Sequence, residues 1–68
     1  MHHPNEKMLP AQEVLQTVGI RSLTTLREMI RRDDFPKPYE ITRGKRHWAM
    51  SEIQAWLQQR MADQRRED

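Results

Sequence analysis

The residues in this sequence with the most evident chemistry are its arginines and lysines. Arg27 and Arg31 stand four apart, and Arg43-Gly44-Lys45-Arg46 sets three cations around one glycine. A guanidinium fork can pair bidentately with a guanine edge or a phosphate, while an ammonium group acts as a point charge on a phosphate. From Ile20 to Arg60 there are nine basic residues against five acidic ones, although the whole chain carries only +2. Positive charge is therefore concentrated mid-chain, as a polyanion-binding surface requires. A solvated face would show the same clustering.

Other chemistries find less support. A nucleophile needs a neighbouring base and an oxyanion site, and Ser22 and Ser51 read better as helix caps, so no enzymatic activity is expected. His2, His3 and His47 have no cysteine beside them, so neither a metal site nor a cofactor is expected. No apolar run reaches the roughly 18 residues of a membrane span. Met1 to Lys7 lacks the basic-then-apolar pattern of an export signal, and with no cysteine the expected location is the cytoplasm.

These cations need a scaffold, and 68 residues supply one thin domain, since chains of this size bury only about 60% of their unfolded surface. Ala11, Val14, Leu15 and Val18 recur at helical spacing, predicting a helix over Pro10–Val18 that Gly19 ends in a left-handed conformation. A second helix is predicted from Ser22 to Arg32, buried through Leu26, Met29 and Ile30. Ser22 is one candidate cap and a Thr25-x-x-Glu28 box the other. Phe35-Pro36-Lys37-Pro38 stops this helix, because proline disfavours helical geometry in the residue before it.

Tyr39–Ile41 and His47–Ala49 read as short strands joined by a turn over Thr42–Arg46, with Gly44 at positive φ. Ser51-x-x-Gln54 reads as a capping box for a third helix with Ile53, Trp56, Leu57 and Met61 on its apolar face. The expected organisation is a flexible start over 1–7, a domain over 8–62 and a flexible tail over 63–68. The predicted fold class is mainly α with a small β-hairpin: a winged helix-turn-helix of three helices plus a two-stranded wing. In such a unit the second helix enters the major groove while the wing lies over the backbone or minor groove.

Leu9-Pro10, Glu13-Val14-Leu15, Val18-Gly19-Ile20, Thr24-Thr25-Leu26, Phe35-Pro36-Lys37-Pro38, Gly44-Lys45-Arg46, Trp48 and Ser51-Glu52-Ile53-Gln54-Ala55-Trp56-Leu57 follow one another from Met8 to Gln59. In this succession the chain resembles the AlpA-type regulators of bacteria and phages, within the MerR-like/excisionase winged-helix group. Arg21, inserted between Ile20 and Ser22, departs from that pattern and implies a turn one residue longer. Arg27 stands where the family often has an aromatic residue.

The resemblance implies sequence-specific binding to double-stranded DNA by a transcriptional regulator or excisionase of a phage or mobile element. Trp48 and Trp56 are then core residues, and Phe35 and Tyr39 pack. The candidate DNA-binding residues are Arg21, Ser22, Leu23, Thr24, Thr25, Arg27, Arg31, Arg43, Lys45, Arg46 and His47. Expected partners are duplex DNA, further copies of the chain on repeated sites, and an integrase or another regulator. Two alternatives stay open: a protein-interaction module docking on a recombinase, response regulator or polymerase, and a phage terminase DNA-recognition domain.

Overall fold

A computed structural model describes residues 6–65. Its elements are β1 (Met8–Pro10), α1 (Ala11–Val18), α2 (Leu23–Arg32), β2 (Tyr39–Thr42), β3 (Lys45–Ala49) and α3 (Met50–Arg65). The two-stranded wing, β2 with β3, is present. A third strand that the sequence does not predict joins it, giving an antiparallel sheet of order β1-β3-β2. With three helices, this is a mainly helical winged helix-turn-helix.

The helical pair forms as its local chemistry dictates. Gly19 takes φ +88°, and its N–H and that of Ile20 both donate to the Leu15 carbonyl. This left-handed closure suits glycine, which has no Cβ to clash. Four residues, 19 to 22, then separate α1 from α2. Ser22 proves to be the cap of α2, accepting from the Thr25 N–H at 3.1 Å. The rival box starting at Thr25 is thereby excluded, since Thr25 lies inside the first turn. Pro10 closes β1, and α1 begins one residue later than predicted.

Nearly every part of the chain contributes one fully enclosed side chain to the core. Leu9 comes from β1, Val14 from α1, Leu26 from α2, Phe35 from the linker, Trp48 from β3 and Ile53 from α3. Strand β2 contributes none; all four of its residues are exposed. Tyr39, expected to pack, is instead on the outer side of the sheet, where its hydroxyl donates to Glu52 Oε2 at 2.7 Å. Met61 is also exposed, because α3 runs on past the layer that Ile53, Trp56 and Leu57 pack against.

The start of α3 corrects the sequence reading. The helix begins at Met50, so Ser51 sits in the first turn and is not its cap. Its N–H and hydroxyl both donate to the Glu6 carboxylate, at 3.3 and 2.9 Å. Pairing of β1 with β3 sets Met8 opposite Ala49, and the Met50 N–H donates to the Lys7 carbonyl at 2.9 Å. Glu6 and Lys7, which the sequence reading puts in a flexible start, are thus tied to α3. A carboxylate here also meets the positive end of the helix dipole.

The wing is tighter than predicted. Thr42 pairs with Lys45, so the turn is only Arg43-Gly44, and a bulge interrupts the register between Glu40 and Thr42. Gly44 does take positive φ, +77°, and its N–H donates to Glu40 Oε2 at 2.8 Å.

Two indole N–H groups fix the linker between α2 and the wing. Trp56 Nε1 donates to the Asp33 carbonyl at 3.0 Å, and Trp48 Nε1 donates to the Pro36 carbonyl at 2.9 Å. Phe35, between these anchors, meets Trp56 edge to face at 4.9 Å between ring centroids. The expectation that both tryptophans serve the fold is met: Trp48 is buried, Trp56 packs against the core, and both indole N–H groups bond within the chain.

Replacing Trp48 by Phe keeps an aromatic ring but leaves the Pro36 carbonyl without its donor. The expected cost is about 1–3 kcal/mol, read from a urea titration that follows the remaining Trp56 fluorescence. An unchanged midpoint would show that this bond does not hold the linker. The Tyr39 phenol is held above its usual pKa by the hydrogen bond to Glu52, then by the Glu52 and Glu6 charges. Its contribution to stability is therefore complete below pH 10.0 and declines as pH rises through the higher folded value. Comparing the native chain with Tyr39→Phe between pH 8 and 11 should show the two stability curves converging at the alkaline end.

Candidate nucleic-acid interface

Helix α2 and the wing enclose a concavity because the linker turns the chain back across the helix. On one side of β3, Arg46 and Trp48 face α2, since alternate residues of a strand share a face. Leu23, Arg27, Gly44 and Arg46 line a hollow of about 410 Å³ together with Glu40, and with Leu26 and Trp48 at its base. Next to it, Thr24, Arg27, Arg31, Lys37 and Arg46 line a more open depression. Arg27 and Arg46 belong to both, so helix and wing present their cations to one continuous groove.

The eleven candidate residues separate into groups. Leu23, Thr24, Arg27, Arg31 and Arg46 come together in the groove. Leu23 is 46% exposed there despite its apolar side chain. Ser22 and Thr25 stand at the start of the same helix, but their hydroxyls are bonded to each other at 3.0 Å. Arg21 is exposed in the turn before them.

Arg43 is exposed at the hairpin tip and lines neither depression. Lys45 and His47 alternate with Arg46 along β3 and so point to the opposite side of the sheet. His47 is half-buried between Pro10 and Tyr39 in the central strand, and its Nδ1 is buried without a hydrogen-bond partner among the described residues.

Lys37 is a groove residue absent from the sequence candidates. Its signal was present in Phe35-Pro36-Lys37-Pro38, but that segment reads first as a helix stop. The indole anchors on either side of Phe35 bring Lys37 beside Arg31 and Arg46. Glu28 adds one acidic group at this edge.

Four cations within one groove, Arg27, Arg31, Lys37 and Arg46, suit a polyanion of regular shape. The rod of α2 has the width of a major groove, and a projecting hairpin can follow the adjoining backbone. His2 and His3, weighed as metal ligands, lie outside the described residues. Among the described residues no group of three or more His, Asp or Glu is positioned to hold a metal ion, and no helix is long and apolar enough to cross a membrane.

This geometry defines a winged helix-turn-helix with a basic groove. The family model described as prophage CP4-57 regulatory protein (AlpA) matches residues 7–61, and the chain belongs to that AlpA family of small DNA-binding phage regulators. No curated protein and no solved structure matches it.

The cap of α2 sets the first turn, from which Leu23 and Thr24 project. Ser22→Ala should cost about 1 kcal/mol and speed hydrogen exchange at the Thr25 amide, which donates to Ser22. Unaltered protection at that amide would mean the turn is held by something else.

Proposed function

We propose that this protein is a sequence-specific double-stranded DNA-binding regulator or excisionase of a phage or mobile element, with α2 in the major groove. The observation that carries this reading is the meeting of Arg27, Arg31, Lys37 and Arg46 in a single groove between α2 and the wing. Arg27, in the middle of α2, is suited to a bidentate guanine contact, and Thr24 to a base edge or phosphate. Leu23 is suited to a thymine methyl, its exposure being otherwise unfavourable. Arg31, Lys37 and Arg46 bind phosphates and set the register. Arg43 reaches the flanking backbone or minor groove from the tip of the wing, with Arg21 and the Ser22–Thr25 cap at the other end of the helix.

Only phosphate contacts carry the salt-dependent part of affinity, while base contacts carry selectivity. A single domain of this size reads few base pairs, so useful specificity calls for several copies on repeated half-sites. An integrase or another regulator bound alongside is a further expected partner. The protein acts where the DNA is, in the cytoplasm of a bacterial or phage-infected cell, and performs no catalysis of its own.

Selection from random duplex DNA should return a defined motif. On that motif, Arg27→Ala should cost about 1–3 kcal/mol and relax the preference at one base pair. Arg46→Ala should weaken all sequences alike and reduce the log–log salt slope by about 0.9. If no motif emerges and affinity is indifferent to salt, DNA is not the ligand.

A further inference from the structure

The face of the sheet turned away from the basic groove has a different character. Met8, Tyr39, Ile41 and Ala49 line a hollow of about 450 Å³ there, and Glu6 and Glu52 belong to the same lining. Ile41 is 61% exposed and Tyr39 46%. Both carboxylates bond to neutral donors, Glu6 to Ser51 and Glu52 to Tyr39. Neutral donors leave the negative charges in place; the hydrogen bond to Glu52 is the first cause of the raised Tyr39 pKa, and the Glu52 and Glu6 charges add to it. This is an apolar recess with an acidic side, at the N-terminal end of α3.

The other end of α3 has the opposite character. Every residue from Gln58 to Arg65 is exposed, so about two helical turns extend beyond the core. Leu57, Met61 and Ala62 share one side of that extension with Arg60 and Arg65. Met61 is 57% exposed. Isolated in water, such a strip loses the benefit of burying its apolar side chains. One helix thus carries an acidic apolar recess at its beginning and a basic apolar strip at its end.

We infer that the end of α3 of one copy docks in the outer-face recess of a second copy, with Met61 on Ile41 and Tyr39 and the Arg60 and Arg65 cations toward Glu52 and Glu6. The two surfaces complement each other in charge and in apolar character. They are different surfaces on one chain, so the contact is heterologous and can repeat head to tail. The recess lies on the opposite side of the sheet from the basic groove, so duplex DNA and a neighbouring copy can be held together.

The area is small beside the roughly 1,200–2,000 Å² of stable interfaces. A dissociation constant on the order of 100 μM to 1 mM is therefore expected in free solution, strengthened where a duplex aligns the copies. This gives the multi-copy part of the functional proposal a surface. The contact can be tested without DNA, so its failure and that of the DNA-binding reading remain distinguishable.

Sedimentation velocity of the full chain from about 10 μM to 1 mM is the direct measurement. Self-association is expected over that range, weakened at least about tenfold by Met61→Asp and by Glu52→Lys. Combining Glu52→Lys with Arg60→Glu in one chain should restore it, because that one ion pair is then reversed while Glu6 and Arg65 are left as they are. Circular dichroism of each variant checks that the fold is retained, and Met61→Asp, on a fully projecting turn, keeps the test open should Glu52→Lys unfold. A monomer throughout the range overturns the proposal. So does association that survives Met61→Asp, or that the paired reversal of Glu52 and Arg60 fails to restore in a folded chain.

Discussion

The segment from Asp33 to Pro38 has no regular structure, yet the position of the wing relative to α2 depends on it. Its backbone carbonyls at Asp33 and Pro36 are taken up by the indole N–H groups of Trp56 and Trp48, one from α3 and one from β3. A partly buried indole donor needs an acceptor, and a carbonyl outside any ladder needs a donor. Each satisfies the other. The same rings fill the core around Phe35, so hydrogen bonding and packing fix the linker together. Without that constraint Arg46 would have no defined distance from Arg27, and a helix and a hairpin would not make one groove.

The first strand performs a related task at the other end of the molecule. By pairing with β3 it brings Leu9 into the core and places the Glu6 carboxylate on the first turn of α3. A helix that begins directly after a strand has little room for its own capping residue. The acceptor comes instead from 45 residues away. This fixes the direction of α3 relative to the sheet, and therefore where its far end projects.

Charge is distributed by face as well as by position in sequence. The groove side of the sheet carries Arg46 opposite the arginines of α2; the outer side carries Glu6 and Glu52 around Tyr39 and Ile41. A net charge of only +2 thus conceals an uneven distribution, with four cations against Glu28 and Glu40 on the groove side and Glu6 and Glu52 on the outer side, where Lys45 also points.

Local signals in the sequence determined the three helices, the wing hairpin and the end of α1 at Gly19. They also narrowed the cap of α2 to Ser22 or a box at Thr25, and marked Val14, Leu26 and Ile53 for the core. These depend on spacing and on residues a few positions apart, so they can be read along the chain. Leu23, Thr24, Arg27 and Arg31 were legible as candidates because they lie on exposed positions of the second helix, and Arg46 because it stands in the basic turn of the wing. Only the tertiary structure decided what rests on contacts distant in sequence: the third strand, the Glu6 cap, the exposure of Tyr39, the recruitment of Lys37 and the turning of Lys45 and His47 to the other side. Each follows from which strands pair and in what register. That choice is made by the joint burial of Leu9, Phe35, Trp48 and Ile53, which no local pattern contains.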